Sequence, residues 1–137
     1  MNLIQLHAAA VCAWFGLVAA ETVMELSACD EASRRFVAIA HGWIDRVFEI
    51  PLLLTVLVSG AVLLSRGWPL SPLLQVKVVC GLIGVLANLV CIPLVQARTN
   101  AVGDDARVTR LTHHIILTGS AIPFGIAAMV IGFGHFA

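Results

Sequence analysis

The chain has 137 residues, 60% of them hydrophobic and 12% charged, with a formal net charge of zero and a mean hydropathy of +0.99. A soluble globular domain carries about 25% charged residues, so this composition excludes an ordinary water-soluble domain and points to a lipid bilayer. The balanced charge leaves no electrostatic reason to expect nucleic-acid binding.

Each membrane-spanning helix needs about 20 apolar residues, so the length suits one all-α domain of four helices. The first is expected from about Leu3 to Leu26. It lacks a basic leader region and carries polar groups, which argues against a cleaved signal peptide. His7, Trp14 and Glu21 recur at seven-residue intervals, which keeps them within about 40° of one helix face. Glu25 follows one turn later. The polar loop Ser27–Arg35 offers Ser33 as a cap for the next helix.

The second helix is expected from about Arg34 to Ser65, with Val47–Leu64 as its spanning part. His41, Asp45 and Glu49 are four apart and form a polar stripe that runs into a purely apolar segment. Pro51 should bend the helix and free the carbonyl near Val47. After the turn Arg66–Pro72, where Trp68 suits the headgroup level, the third helix runs from about Pro72 to Gln96. It carries Lys77 one turn in, then Asn88 and Pro93. The polar loop Ala97–Arg107 leads to the fourth helix, about Ala106 to Phe133, with His113 and His114 near its start and Pro123 in its middle. No internal repeat is present.

Short connections force antiparallel neighbours, so the expected architecture is an up-down-up-down bundle. Both termini and the 66–72 turn then share one side. The loops 27–35 and 97–107 share the other, with Arg34, Arg35, Arg98, Arg107 and Arg110 against Arg66 and Lys77 on the terminal side. The positive-inside rule places the loops in the cytoplasm and both termini outside, as for an integral protein of a prokaryotic inner membrane.

Ionisable groups inside a membrane are costly and are functional candidates by default. On the loop side, His41 and one of His113 or His114 are expected at similar depth. They fit axial ligands to a b-type haem. Joined by Glu21, Asp45 or Glu49, they also fit a divalent transition metal. A proton relay through Glu21, Asp45 and Glu49, or simple pairing at a helix end with Arg46 or Arg110, accounts for the same residues. Arg46 can clamp a carboxylate or haem propionate bidentately or pair with Glu49. On the terminal side, Lys77 can snorkel to the interface, and His7 alone is a weak signal. The four cysteines show no CxxC spacing, so neither c-type haem nor structural zinc is indicated. Cys29, in a loop, is the one placed to react.

Four stretches in order resemble one family. LHAAAVCAWFG (Leu6–Gly16), RVFEIPLLLTVLVSGAVLL (Arg46–Leu64), WPLSPLLQVKVVCGLIGVLANLVCIPLVQAR (Trp68–Arg98) and ARVTRLTHHIILTGSAIPFGIAAMVI (Ala106–Ile131) are similar to the helices of HemJ-type protoporphyrinogen oxidases and the related CopD-like membrane proteins. The resemblance implies a b-type haem, with His7 and Lys77 at the positions of the oxidases' functional histidine and lysine. The CopD-like relatives are associated with copper. The His41–Asp45–Glu49 stripe and the His113–His114 pair lie outside the oxidase pattern, and the chain is a helix shorter.

The expected function is therefore redox. A haem- or metal-binding membrane protein would transfer electrons, or oxidise a small lipophilic substrate, with a quinone or respiratory-chain partner. The alternatives are a haem-free protein that binds or transports copper or another divalent metal, and an accessory anchor subunit of a membrane complex. Small residues such as Ala8, Ala9, Gly81 and Gly84 permit close helix contacts, within one chain or in a homo-oligomer.

Overall fold

The structure, a computed structural model, describes residues 2–136. Among them there is no strand. Four long helices make up the fold: α1 (Leu3–Ser27), α2 (Glu31–Arg66), α3 (Pro72–Thr99) and α4, which starts at Asp105 and ends at Phe136. All four are long and apolar enough to cross a membrane, with mean hydropathies between 1.8 and 2.6 over their most apolar stretches. Their outer faces carry large exposed apolar side chains along the whole length, among them Val23, Val58, Leu86 and Val130.

The helix ends follow the capping chemistry. Asn2 and Gln5 form a reciprocal capping box at the start of α1, each satisfying a backbone N–H of the other. α2 begins at Glu31, earlier than Arg34, because Asp30 rather than Ser33 is its cap. Its carboxylate accepts from the Ser33 N–H at 2.8 Å, while the Ser33 hydroxyl accepts from the Asp30 N–H at 3.1 Å. The Ser33 N–H holds the Asp30 carboxyl below the usual carboxylate range. Ser71 and Pro72 open α3. In the loop before α4, Gly103 has φ +113°, a conformation that L side chains rarely adopt.

The prolines leave local marks. A π-helical turn, Asp45–Glu49, interrupts α2 just ahead of Pro51. Pro51 has no N–H to give to Val47 and its ring crowds that carbonyl. The turn takes up the misfit by passing the Ile50 N–H to the Asp45 carbonyl, five residues back. The bend expected at Pro51 thus takes the form of a widened turn that contains Asp45 and Glu49. Pro123 has a related effect in α4, where Gly119–Ala121 tightens to a 3-10 turn.

Cross-helix contacts fix the pairing. Near the start of α1, His7 meets Ser59 late in α2; near its end, Glu25 meets His41 early in α2. Arg98, at the end of α3, reaches Thr112 near the start of α4. Arg34 and Arg35 meet Thr109 and Asp105 of α4. Ala10, Trp14, Leu53, Val56 and Val85 form the apolar core between α1, α2 and α3.

α2 and α3 pack tightly at Gly42, where the Thr99 side chain fills the space a Cβ would need. A Cβ there would collide with the Thr99 hydroxyl, which is itself 3.0 Å from the carbonyls of Ala38 and Val95. Gly42→Ala should destabilise the fold by about 1–3 kcal/mol through overpacking, and Gly42→Ala with Thr99→Ala should recover most of that. Thermal unfolding in detergent measures both.

Candidate functional site

Two regions of the interior carry the polar side chains. The first is a buried cluster where the end of α1, the start of α2, the end of α3 and the start of α4 converge. Its members are Glu21, Glu25, His41, Asp45, Glu49, Asn88, Arg98 and Thr112, all buried. Helical periodicity brings them inward: Glu21 and Glu25 are one turn apart on α1, and His41, Asp45 and Glu49 continue one face of α2 through the π turn.

Arg98 is 0% exposed. Its two terminal nitrogens grip the Glu25 carboxylate at 2.6 and 2.5 Å, the bidentate fork that makes Arg–carboxylate pairs strong. One of them also donates to Thr112 Oγ1 at 3.0 Å. Glu25 Oε1 lies 2.6 Å from His41 Nδ1. With Nδ1–H as the donor to that carboxylate, Nε2 carries the free lone pair. Nε2 lies 3.6 Å from Glu21 Oε2 and 3.5 Å from Asp45 Oδ1. Asn88 Nδ2 donates to Glu49. Both Asp45 oxygens and Glu21 Oε1 are buried with no hydrogen-bond partner among the described residues. A cavity of about 80 Å³ adjoins the cluster, lined by Glu21, His41, Glu49 and Cys91 among others.

The second region is a cavity of about 810 Å³ between the other ends of the helices. His7 and Trp14 of α1, Gly60 and Arg66 of α2, Lys77, Gly81 and Gly84 of α3, and Gly125 and Gly132 of α4 line it; the remaining walls are mostly aliphatic. The glycines keep the side chains in place. A Cβ on Gly60 would come within 3.1 Å of the His7 ring, and one on Gly132 within 3.2 Å of Lys77 Nζ. His7 Nδ1 is 2.8 Å from Ser59 Oγ, and the Ser59 hydroxyl is anchored in turn to the Thr55 carbonyl. Trp14, Phe15, Gly84 and Gly125 line both cavities.

The sequence-derived candidates therefore separate. Glu21, His41, Asp45 and Glu49 come together in the cluster, and His7 and Lys77 share the large cavity. His113 and His114 do not join His41. Both side chains are exposed, and His114 Nδ1 is bound to the Arg110 carbonyl at 3.0 Å. Arg46 is also exposed and donates to Gln96 rather than to Glu49 or any cofactor site. Of the small residues, Ala8, Gly81 and Gly84 face the large cavity, while Ala9 is exposed. Sequence reasoning gave no site role to Arg98, Asn88 or Thr112. No protein-family model, curated protein or solved structure matches this chain.

Arg98 anchors the cluster, and removing it leaves Glu25 as an uncompensated buried charge. Arg98→Met is expected to cost about 3–5 kcal/mol, read from unfolding in detergent. Arg98→Met with Glu25→Gln should lose less than the single variant, since the orphaned charge is gone while the new amide oxygen can still accept from His41.

Proposed function

We propose that this protein is an integral membrane redox protein, an up-down-up-down bundle that holds a b-type haem in its large cavity. The observation that carries this reading is the cavity itself, about 810 Å³ of mostly apolar space with the His7 imidazole in its wall. Three features suit the group. His7 Nε2 has no hydrogen-bond partner among the described residues, while Nδ1 is tied to Ser59; a partner on the other ring nitrogen is the usual support for a metal-ligating histidine. Lys77 and Arg66 supply positive charge for propionates, and no acidic side chain lines the cavity among the described residues. A Cβ at Gly81 would meet nothing within 4 Å, which leaves a face for a flat macrocycle. The resemblance to HemJ-type oxidases supports the same residues.

Bound there, a haem supplies one-electron redox chemistry, for electron transfer or for oxidation of a small lipophilic substrate, with a quinone or respiratory-chain protein as partner. The chain's own part is to orient the imidazole through Ser59, exclude water with aliphatic walls and set the charge with Lys77. The apolar outer faces favour insertion in a bilayer, where they need not meet water. The arginine-rich loops are placed in the cytoplasm and both termini outside, in a prokaryotic inner membrane.

An absorption spectrum of the detergent-purified protein tests the reading. A Soret band that shifts on reduction is expected, lost in His7→Ala, with haem affinity reduced about 10–100-fold in Ser59→Ala. A colourless protein that also fails to take up added haemin would overturn it. The orientation has its own check. In a variant with Cys12, Cys80 and Cys91 replaced by alanine, a membrane-impermeant thiol reagent should label Cys29 only after the inner membrane is opened. Labelling in intact spheroplasts would reverse the assignment.

A further inference from the structure

The cluster around Arg98 has no part in haem binding at His7, and its centre calls for a different occupant. The geometry points to a site for one divalent first-row transition-metal ion, of the manganese or ferrous class, held by Glu21, His41, Asp45 and Glu49. One nitrogen or oxygen from each of the four lies within 4.8 Å of the others. Ligands at about 2.0–2.2 Å from a shared ion are at most about 4.4 Å apart, so small side-chain shifts close the shell.

Three further observations point the same way. First, the donors are aimed and unused: both Asp45 oxygens and Glu21 Oε1 lack partners among the described residues, at 0% and 4% residue exposure. Buried polar atoms are rarely left so. Second, the supporting groups are already in place. Glu25 accepts from His41 Nδ1 at 2.6 Å, the carboxylate–histidine arrangement that fixes a ligand's tautomer and raises its basicity. Arg98 holds Glu25, and Asn88 holds Glu49. Third, a cation would offset the charge. Arg98 balances Glu25, which leaves three carboxylates around one imidazole in the interior, where charge is very costly unless a proton or a cation compensates it. A divalent ion removes most of that imbalance. One imidazole and three carboxylates, with no sulfur, suit manganese or ferrous iron and disfavour cuprous copper. The adjoining cavity of about 80 Å³ has room for a water or small ligand at an open coordination position.

The test uses the full-length protein, purified in detergent without chelators. Elemental analysis should find about one manganese ion per chain, or one iron ion in excess of any that extracts with haem. After chelator treatment, titration with Mn²⁺ should suppress the free-ion paramagnetic resonance signal at the same stoichiometry. Asp45→Asn and Glu21→Gln, close in shape to the native side chains, should each weaken Mn²⁺ binding more than about 100-fold, and Glu25→Gln about 10–100-fold. His113→Ala with His114→Ala should bind as the native protein does. The proposal is overturned if native protein with full helical circular dichroism binds neither Mn²⁺ nor Fe²⁺ stoichiometrically, if it takes up copper alone, or if folded Asp45→Asn and Glu21→Gln bind as tightly as native. None of these readouts involves haem absorption, so a haem-free protein that binds Mn²⁺ would sink the haem reading and leave the metal site standing.

Discussion

One guanidinium ties the bundle together. Arg98 comes from α3, grips Glu25 on α1, touches Thr112 on α4 and lies 3.2 Å from His41 Nδ1 on α2, so every helix has a side chain on it. A charge with no exposure is expensive to desolvate, and the cost is offset only by good geometry and nearly complete hydrogen bonding. The fork to Glu25 supplies the geometry and Thr112 a further acceptor, while Nε has no partner among the described residues. An arginine suits this position better than a lysine because its planar donors hold two directions at once. Once Glu25 is fixed, the His41 ring is fixed, and with it the direction in which Nε2 looks. The ordering passes from α3 to α1 to α2 through short contacts.

The opposite end is built on another principle. Glycines at 60, 81, 84, 125 and 132 leave space along the inner faces there. Where a glycine backs onto His7 or Lys77, an added Cβ would make that side chain give by a few tenths of an ångström. One end is thus pinned by charge and filled with polar atoms, and the other is held apart around an apolar cavity. Four-helix bundles place cofactors in this way, between side chains on facing helices. A chain this short has little other interior to use.

Much of this could be read from spacing alone. The i, i+4 stripe of His41, Asp45 and Glu49 does turn inward, and the seven-residue series His7, Trp14, Glu21 does stay on one face of α1. Both are local periodicities, set by helix geometry. What escaped was long-range. Arg98 reads as a cytoplasmic loop charge in the sequence, because its partner Glu25 is 73 residues away. Asn88 reads as an incidental polar residue, because nothing nearby in the chain names Glu49. His113 and His114 went astray for a geometric reason. The inward face of α4 at that level is Val108, Thr112 and Ile115, spaced by four and three. Residues 113 and 114 are rotated by about 100° and 200° from Thr112, which turns both away from the cluster. Asp30 over Ser33 as the α2 cap is a smaller case: the two residues form one reciprocal pair, and the order of the pair sets which is outermost.

The line of residues on α1 has a consequence for how the two ends relate. His7 stands in the large cavity, Glu21 in the polar cluster, and Trp14 lies midway between them in sequence and in the walls of both cavities. The partition between the ends is therefore an indole with Phe15 beside it, backed by Gly84 and Gly125. A Cβ on Gly84 would come 3.9 Å from the Trp14 ring, and one on Gly125 only 2.9 Å from that of Phe15. These glycines leave room for the two aromatic rings beside α3 and α4. The Arg98–Glu25 pair lies beyond that wall, buried where a low dielectric strengthens it. The two ends meet at the aromatic wall, and the wall fits against small residues in the two helices that face it.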